Sequence, residues 1–169
     1  SLACLSKEDY PIIDQENSGN TIKINSKIIF KLIDKTKFAI SNEETRYFLN
    51  GLYFNITKIQ SNSVVTLVGT DGHRLSKFSH NIEDSTDQVS GVIIPKKTIY
   101  ELSKLLSEID QDVFISISSN KIIFNINNII FISKLIDGSF PDYERVIPKD
   151  NSNILKINRE ILLSAVDRV

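Results

Sequence analysis

The chain has 169 residues, of which 41% are hydrophobic and 24% charged, and its formal net charge is −1. This composition is typical of a soluble globular protein. The overall charge gives no reason to expect nucleic-acid binding, which only a local cluster of basic residues would support. The single cysteine, Cys4, excludes an internal disulfide and fits a reducing compartment. No apolar run approaches the roughly 20 residues of a membrane-spanning helix.

Five elements are predicted in the first half of the chain. They are a strand over 21–24, a helix from 26 to about 40, and strands over 46–59, 64–70 and 74–80. Polar and apolar residues alternate over 21–24, and the strands on either side of 61–63 are apolar runs. The helix carries its isoleucines and leucines on one side. Asn25 or Ser26 is a suitable helix cap. The Asp71-Gly72 pair predicts a turn before the last strand, and a hairpin tip is expected at 61–63.

The second half repeats this order of elements. After a polar loop at 81–90, its predicted elements are a strand over 91–95, a helix over 96–109, and strands over 113–118, 121–126 and 129–136. Thr98 and Glu101 fit a capping box, and Asn127-Asn128 suits a hairpin turn because Asn tolerates positive φ. The pattern predicts an α+β fold with an internal β-α-β-β-β pseudo-repeat. Its two helices would lie side by side in one layer, with antiparallel sheets outside.

Lysines concentrate on the two predicted helices, although the whole chain is nearly neutral. The first helix carries Lys27, Lys31, Lys35 and Lys37 against Asp34, and the second carries Lys96, Lys97 and Lys104 against Glu101 and Glu108. If both helices face the same way, they present a basic surface suited to phosphate contact without sequence readout. The alternative is an ordinary solvated face on each helix, and the spacing alone does not decide between the two.

The stretch from Thr70 to Arg74 sets polar residues between two apolar strands, where a turn and a binding surface can coincide. A hydrolase would use His73 as a general base oriented by Asp71. The sequence offers no Ser or Cys nucleophile in a recognisable context, and no second histidine at metal-ligand spacing. A turn explains the residues without chemistry, since Asp bonds the backbone and Gly supplies the unusual φ. The turn is favoured, and the hydrolase is kept as the alternative function.

The stretch from Phe140 to Pro148 reads FPDYERVIP. Its two prolines bracket an aromatic and aliphatic run, which favours an extended, semi-rigid connector. The connector is interpreted either as a domain linker or as an extended wall that leaves apolar groups in a groove, and the two interpretations are compatible.

These motifs resemble those of the bacterial sliding clamps, the beta subunits of DNA polymerase III. The matching segments are RYFLNGLYF, VGTDGHRLS, VIIPKKTIYEL, FISKLIDGSFPDYERVIP and REILLSAVDRV, in the family's order and near its spacing. The resemblance implies the DNA clamp fold, in which two helices of each domain line the hole of a ring of two three-domain subunits.

The resemblance also implies that the chain is a fragment of a longer protein. Residues 1–18 would be the tail of the first domain, 19–148 a complete middle domain, and 149–169 the start of the third. Because ring closure in the family joins the first domain of one subunit to the third of the other, this chain is expected to be a monomer or a weak dimer.

Two sets of site residues are implied by matching the family's motifs. The peptide-binding positions are Leu49, Thr70, Gly72, His73, Arg74, Leu75, Pro141, Arg145 and Val146. The DNA-contacting positions are Arg46, Tyr47, Phe48 and Lys97, with Lys96 and Lys104 close by. The other wall of the peptide pocket would belong to the third domain.

The function implied by the resemblance is that of a non-catalytic processivity factor in the bacterial cytoplasm. The full-length homodimer would encircle duplex DNA without sequence preference. It would hold the polymerase alpha subunit, the clamp loader and other partners through short peptides. No cofactor, metal or membrane is expected. A plain interaction module with no DNA role, with its lysines scattered over opposite faces, is a third possibility.

Overall fold

Two four-stranded antiparallel sheets and three α-helices form the part of the chain that the computed structural model describes, residues 4, 6, 21–59, 62–82 and 89–168. The elements are β1 Thr21–Asn25, α1 Ser26–Asp34, β2 Gly51–Ile59, β3 Asn62–Thr70, β4 Leu75–Ile82, β5 Val89–Pro95, α2 Lys96–Leu106, β6 Asp112–Ile117, β7 Lys121–Ile126, β8 Ile129–Lys134 and α3 Arg159–Val166.

The two halves of the chain exchange their first strands. β1 pairs with β6 to give the sheet order β1-β6-β7-β8, and β5 pairs with β2 to give β4-β3-β2-β5. The register sets Ile22 opposite Ile115 and Leu52 opposite Ile94, and all four side chains are buried. The predicted α+β clamp fold with its β-α-β-β-β repeat is confirmed, and the strand exchange gives the two halves a shared core.

The two lysine-bearing helices pack against each other, as the pattern predicts. Their buried apolar residues are Ile29, Leu32 and Ile33 on α1 and Ile99, Leu102 and Leu106 on α2. These side chains join buried residues of both sheets in one apolar cluster. The Lys37 ammonium, just after α1, donates to the Ser103 hydroxyl of α2 at 3.2 Å. The helices therefore lie side by side, which is the arrangement that a shared basic face requires.

The first helix is shorter than predicted, because it ends at Asp34 rather than near Ile40. The Thr36 hydroxyl donates to the Leu32 carbonyl at 2.7 Å, and such bonding of a side chain back to the backbone competes with helix propagation. A single 3₁₀ turn, Lys37–Ala39, follows. It brings the Thr36 carbonyl against β3, where a Cβ on Gly69 would lie only 2.7 Å from that oxygen.

Two local predictions were wrong at the starts of β2 and α2. The strand expected from residue 46 begins at Gly51, because Tyr47–Leu49 form a 3₁₀ turn. The expected capping box is absent, because α2 starts directly after Pro95 and no side chain caps it. The Thr98 hydroxyl instead shares a hydrogen bond with Ser133 at 2.6 Å, which ties α2 to β8.

Other predicted boundaries differ by a few residues. α2 ends at Leu106 rather than at 109, and β8 ends at Lys134 rather than at 136. The loop predicted at 81–90 is shorter at both ends, because β4 extends to Ile82 and β5 starts at Val89. Residues 83–88 of that loop, and 61 at the hairpin tip, lie outside the described residues.

The third helix stands apart from the core. The Asn158 side chain accepts hydrogen bonds from the Glu160 and Ile161 amides at 2.8 and 3.4 Å, which confirms the predicted cap. No residue of α3 is buried, and its apolar residues are exposed. None of the helices in the described ranges is long and apolar enough to cross a membrane.

The strand exchange predicts that unfolding of the two halves is one cooperative event. Ile22 lies on β1 and is fully buried, so Ile22→Ala should lower the free energy of unfolding by roughly 2–5 kcal/mol. Urea denaturation followed by circular dichroism should show one transition for parent and variant alike. The exposed Lys58→Ala on β2 is the control and should change stability by less than about 0.5 kcal/mol. Two separate transitions in the parent would contradict the shared core.

Candidate functional site

The turn between β3 and β4 is held by the side chains of its own residues. Asp71 Oδ1 accepts hydrogen bonds from the backbone amides of His73 at 2.9 Å and Arg74 at 3.0 Å, and Oδ2 accepts one from Arg74 Nε at 3.0 Å. The Thr70 hydroxyl donates to the Arg74 carbonyl at 2.7 Å and accepts from the Gly72 amide at 3.1 Å. Gly72 has φ of +90°, a conformation that favours glycine.

The electrostatics of the turn follow from this bonding. The His73 and Arg74 amides, helped by the Arg74 guanidinium, lower the pKa of Asp71 from 3.8 to about 2. Both carboxylate oxygens are thus engaged by the turn, and neither orients the His73 ring as the hydrolase alternative requires. Within the described ranges, no group of three or more His, Cys, Asp or Glu side chains is placed to hold a metal ion.

A groove of about 770 Å³ opens beside this turn. It is lined by Arg46, Phe48, Leu49, Thr70, Gly72, His73, Arg74, Leu75, Pro141, Tyr143, Val146, Ile147 and Pro148. The lining includes every residue predicted to contact a peptide except Arg145. The fold thus brings the turn at 70–75 and residues 141–148 of the connector together at one groove, although they lie far apart in sequence.

Arg145 does not line the groove. It lies in the 3₁₀ turn Tyr143–Arg145, and its Nε pairs with Asp142 Oδ2 at 2.7 Å. Its side chain is 84% exposed, so its assignment to the peptide site stays a prediction.

The sequence did not assign five lining residues to the groove. They are Arg46, Phe48, Tyr143, Ile147 and Pro148. The last three belong to the FPDYERVIP stretch, which was interpreted as a possible wall, but the family motifs did not single them out. Arg46 and Phe48 were predicted to contact DNA, and no sequence signal separates the two roles. The 3₁₀ turn at Tyr47–Leu49 brings both residues to the groove.

Arg46 lies directly over Gly72. A Cβ on Gly72 would be only 2.5 Å from Arg46 Nη1, so the glycine makes room for the guanidinium. Glu43 fixes that guanidinium with two hydrogen bonds, Nε to Oε2 at 2.9 Å and Nη2 to Oε1 at 2.7 Å. The hydrogen bond from Arg46 lowers the pKa of Glu43. Arg46 is therefore a preorganised cation at the rim of the groove.

The other predicted DNA contacts lie near this rim or along α2. The backbone amide of Lys96 donates to the Asn50 carbonyl at 2.9 Å, which joins the start of α2 to the 3₁₀ turn. The Tyr47 side chain is 54% exposed. Lys97 is exposed, and the Lys96 ammonium bonds the Asn42 side chain and lies 5.8 Å from the Tyr100 ring centre.

Carboxylates pair with several lysines on and next to the two helices and partly neutralise their positive charge. Lys104 pairs with Glu101 at 3.0 Å, Lys27 with Asp110 at 2.5 Å, and Lys37 with Asp34 at 3.3 Å. Such exposed or partly exposed pairs are weak. The helix surface is therefore less basic than a count of lysines suggests, and its role in DNA contact stays a prediction.

The Asp71 turn gives the chain a specific pH dependence. A lowered pKa means that the Asp71 carboxylate stabilises the fold above its ordinary pKa of 3.8, and that this contribution disappears as pH falls from there to about 2. Asp71→Asn should therefore have a lower Tm than the parent at pH 7 and a smaller loss of Tm between pH 4 and 2. Thermal melts across this range would measure both effects.

The exposed Asp137→Asn is the matched control for that comparison. It should leave the pH dependence of Tm as in the parent. An Asp71→Asn variant whose Tm follows the parent at every pH would contradict the role given to this carboxylate.

Comparison with known proteins places the chain in a family. Residues 23–142 match the family model described as DNA polymerase III beta subunit, central domain. The beta sliding clamp of Caulobacter vibrioides is 39% identical over 169 residues, covering 100% of this chain and 45% of that protein. The clamp of Rickettsia felis is 40% identical over 173 residues, covering 100% of this chain and 44% of that protein. The chain thus spans less than half the length of these relatives.

Solved structures give the same result. The sliding clamp (DNA polymerase III subunit beta) of Bartonella birtlesii, bound to griselimycin, has a TM-score of 0.88 and 46% identity, covering 98% of this chain and 45% of its own. The Caulobacter crescentus beta sliding clamp has a TM-score of 0.91 and 39% identity, covering 98% of this chain and 44% of its own. This chain belongs to the DNA polymerase III beta subunit family, the bacterial beta sliding clamps.

Proposed function

We propose that the chain is the middle part of a processivity factor, a clamp that encircles duplex DNA and tethers the replicative polymerase. The observation that carries this proposal is the groove beside Gly72, in a chain whose relatives are beta sliding clamps. In this proposal residues 19–148 are the complete middle domain, 1–18 the tail of the first, and 149–169 the start of the third. The full-length protein would be a ring-shaped homodimer in the cytoplasm.

The groove suits the apolar side chains of a short peptide. Leu75, Pro141, Val146 and Ile147 offer apolar surface, and Arg46 and Arg74 add cations at the rim. Val146 is 66% exposed, so a ligand would cover apolar area that now faces solvent. Small-ligand grooves combine apolar walls with a few polar groups in this way. We propose that a leucine or phenylalanine of the polymerase alpha subunit, the clamp loader or another partner binds here.

The helix layer is proposed to contact DNA through the backbone phosphates. Sliding needs contacts that carry no sequence information and exchange easily, which lysine ammonium groups on a helix surface provide. Tyr47 and the Lys96 to Lys104 face of α2 are the proposed contacts, together with the lysines of α1. Neither tethering nor sliding needs a chemical step, so the proposed role is non-catalytic.

Val146→Ser tests the peptide groove without disturbing the core. The substitution removes exposed apolar surface from the groove wall, and we expect about tenfold weaker binding, since burying a valine side chain is worth roughly 1.5–3 kcal/mol. Fluorescence anisotropy of a fluorescein-labelled peptide ending in Leu-Phe measures the Kd. Among the described residues, those that line the groove lie between 46 and 148, and the parent is expected to bind in the high micromolar range or more weakly.

Ile59→Ser is the matched control for the peptide experiment. Ile59 is 57% exposed and lies at the end of β2, outside the groove lining. The control should bind the peptide as the parent does. If Val146→Ser and Ile59→Ser have the same Kd, this groove is not the peptide site.

DNA affinity should be weak and should fall steeply with salt. Release of counterions makes log K fall linearly with log salt concentration, and each lysine that contacts a phosphate adds about one to the slope. The Lys97→Ala, Lys104→Ala double variant should therefore reduce the slope by up to about 2. A titration of labelled duplex DNA at several salt concentrations measures the slope.

Lys58→Ala combined with Lys149→Ala is the charge-matched control, because both residues are exposed and lie outside the helices. The control should keep the slope of the parent. An equal effect of both double variants would show that DNA contact depends on net charge rather than on the helix layer.

A further inference from the structure

We propose that Tyr53 and Lys77 are positioning residues for the peptide groove, because they hold the connector that forms one of its walls. The connector is the stretch of residues 140–148. Neither Tyr53 nor Lys77 lines the groove. The inference rests on the proposed function of the groove and concerns how its wall is kept in place.

An aromatic cluster fastens the connector to β2. The ring of Phe140 stacks on Tyr53, with centroids 5.0 Å apart and planes at 20°. Tyr143 meets the same Tyr53 ring at 5.9 Å and 59°. Burial raises the pKa of both tyrosines, which agrees with a desolvated cluster. Aromatic pairs in such geometries stabilise contacts by about 0.5–1.5 kcal/mol beyond the area they bury.

Gly91 on β5 determines where the Tyr53 ring lies. A Cβ on Gly91 would be 1.9 Å from both Cζ and Oη of Tyr53, so the ring lies directly against the β5 backbone. The ring therefore has Gly91 as one neighbour and Phe140 as another. Because β5 and β2 are paired strands of one sheet, the cluster packs on a hydrogen-bonded part of the fold.

Lys77 on β4 makes the second attachment. Its ammonium lies 5.1 Å from the Tyr143 ring centroid and 3.4 Å from Glu144 Oε1. The ion pair is partly exposed, with 33% of the Lys77 side chain accessible, and an exposed pair of this kind contributes little by itself. The cation–π contact adds to it, since ammonium groups are attracted to the faces of aromatic rings.

Tyr143 links the contacts with β2 and β4 to the groove. It contacts Tyr53 and Lys77 and also lines the groove. The Val146 amide donates to the Tyr143 carbonyl at 3.3 Å, so one 3₁₀ turn fixes Val146 relative to Tyr143. The Val146 side chain is largely exposed. Loss of the cluster should therefore loosen Val146 and Ile147.

The experiment compares Tyr53→Ala with Tyr53→Phe. Tyr53→Ala removes the ring that Phe140 and Tyr143 contact, and we expect about fivefold weaker binding of the Leu-Phe peptide. Tyr53→Phe keeps the ring and should bind within about twofold of the parent. Thr57→Ala, on the same face of β2 and outside the cluster, is the matched control and should also bind as the parent does.

Amide hydrogen exchange separates local loosening of the connector from a general loss of stability, which would accelerate exchange throughout the sheet. Tyr53→Ala should accelerate exchange over residues 143–147 and leave the β2–β3 amides protected. If Val146→Ser weakens binding and Tyr53→Ala binds as the parent does, the proposal is overturned. Acceleration spread evenly over the sheet would also overturn it. The exchange measurement needs no peptide, so it tests the positioning role even if the parent fails to bind.

Lys77 provides a milder test if Tyr53→Ala does not fold. Lys77→Ala leaves the core untouched and should weaken peptide binding about twofold and accelerate exchange at 143–147, whereas Lys77→Arg keeps the cation and should restore both. If Lys77→Ala matches the parent in exchange over residues 143–147, the positioning role of Lys77 is wrong. If the parent and Val146→Ser bind alike while exchange responds as expected, the proposed function fails and the positioning role stands.

Discussion

The exchange of first strands between the two halves is the constraint on which the rest of the structure depends. β1 is held by the sheet of the second half and β5 by the sheet of the first, so α1 and α2, which directly follow these strands, are drawn into one layer over a shared core. The same exchange sets β5 beside β2, where Gly91 meets the Tyr53 ring. Both the helix layer and the platform under the connector are thus consequences of one topological feature.

The two walls of the groove are held in place in different ways. The Asp71 turn is rigid because one carboxylate and one hydroxyl satisfy its backbone groups. The connector has few internal hydrogen bonds and owes its position to contacts with β2 and β4.

The features of the fold and of the site that depend on residues close together in sequence were predictable. The Asp71-Gly72 pair, the apolar stripes of the helices and the positive φ of Asn127 follow from short-range rules. The 3₁₀ turn at Tyr47–Leu49 was missed because it is an apolar run rich in aromatic residues, which favour strands. Leu49 is buried against the core instead of pairing in a sheet. The capping box failed because Thr98 bonds Ser133, a residue distant in sequence. Arg46 was assigned to DNA contact alone, because its contact with Gly72 joins residues that are distant in sequence.

The central claim is that the groove between the Asp71 turn and the connector receives partner peptides. Its most direct test is a ¹⁵N nuclear magnetic resonance titration of this chain with an unlabelled peptide ending in Leu-Phe. The account predicts that the amide shifts that change most belong to residues 70–75 and 143–147, with little change in β6 to β8. Changes centred on the β1-β6-β7-β8 sheet or on α3, with residues 70–75 unaffected, would contradict it.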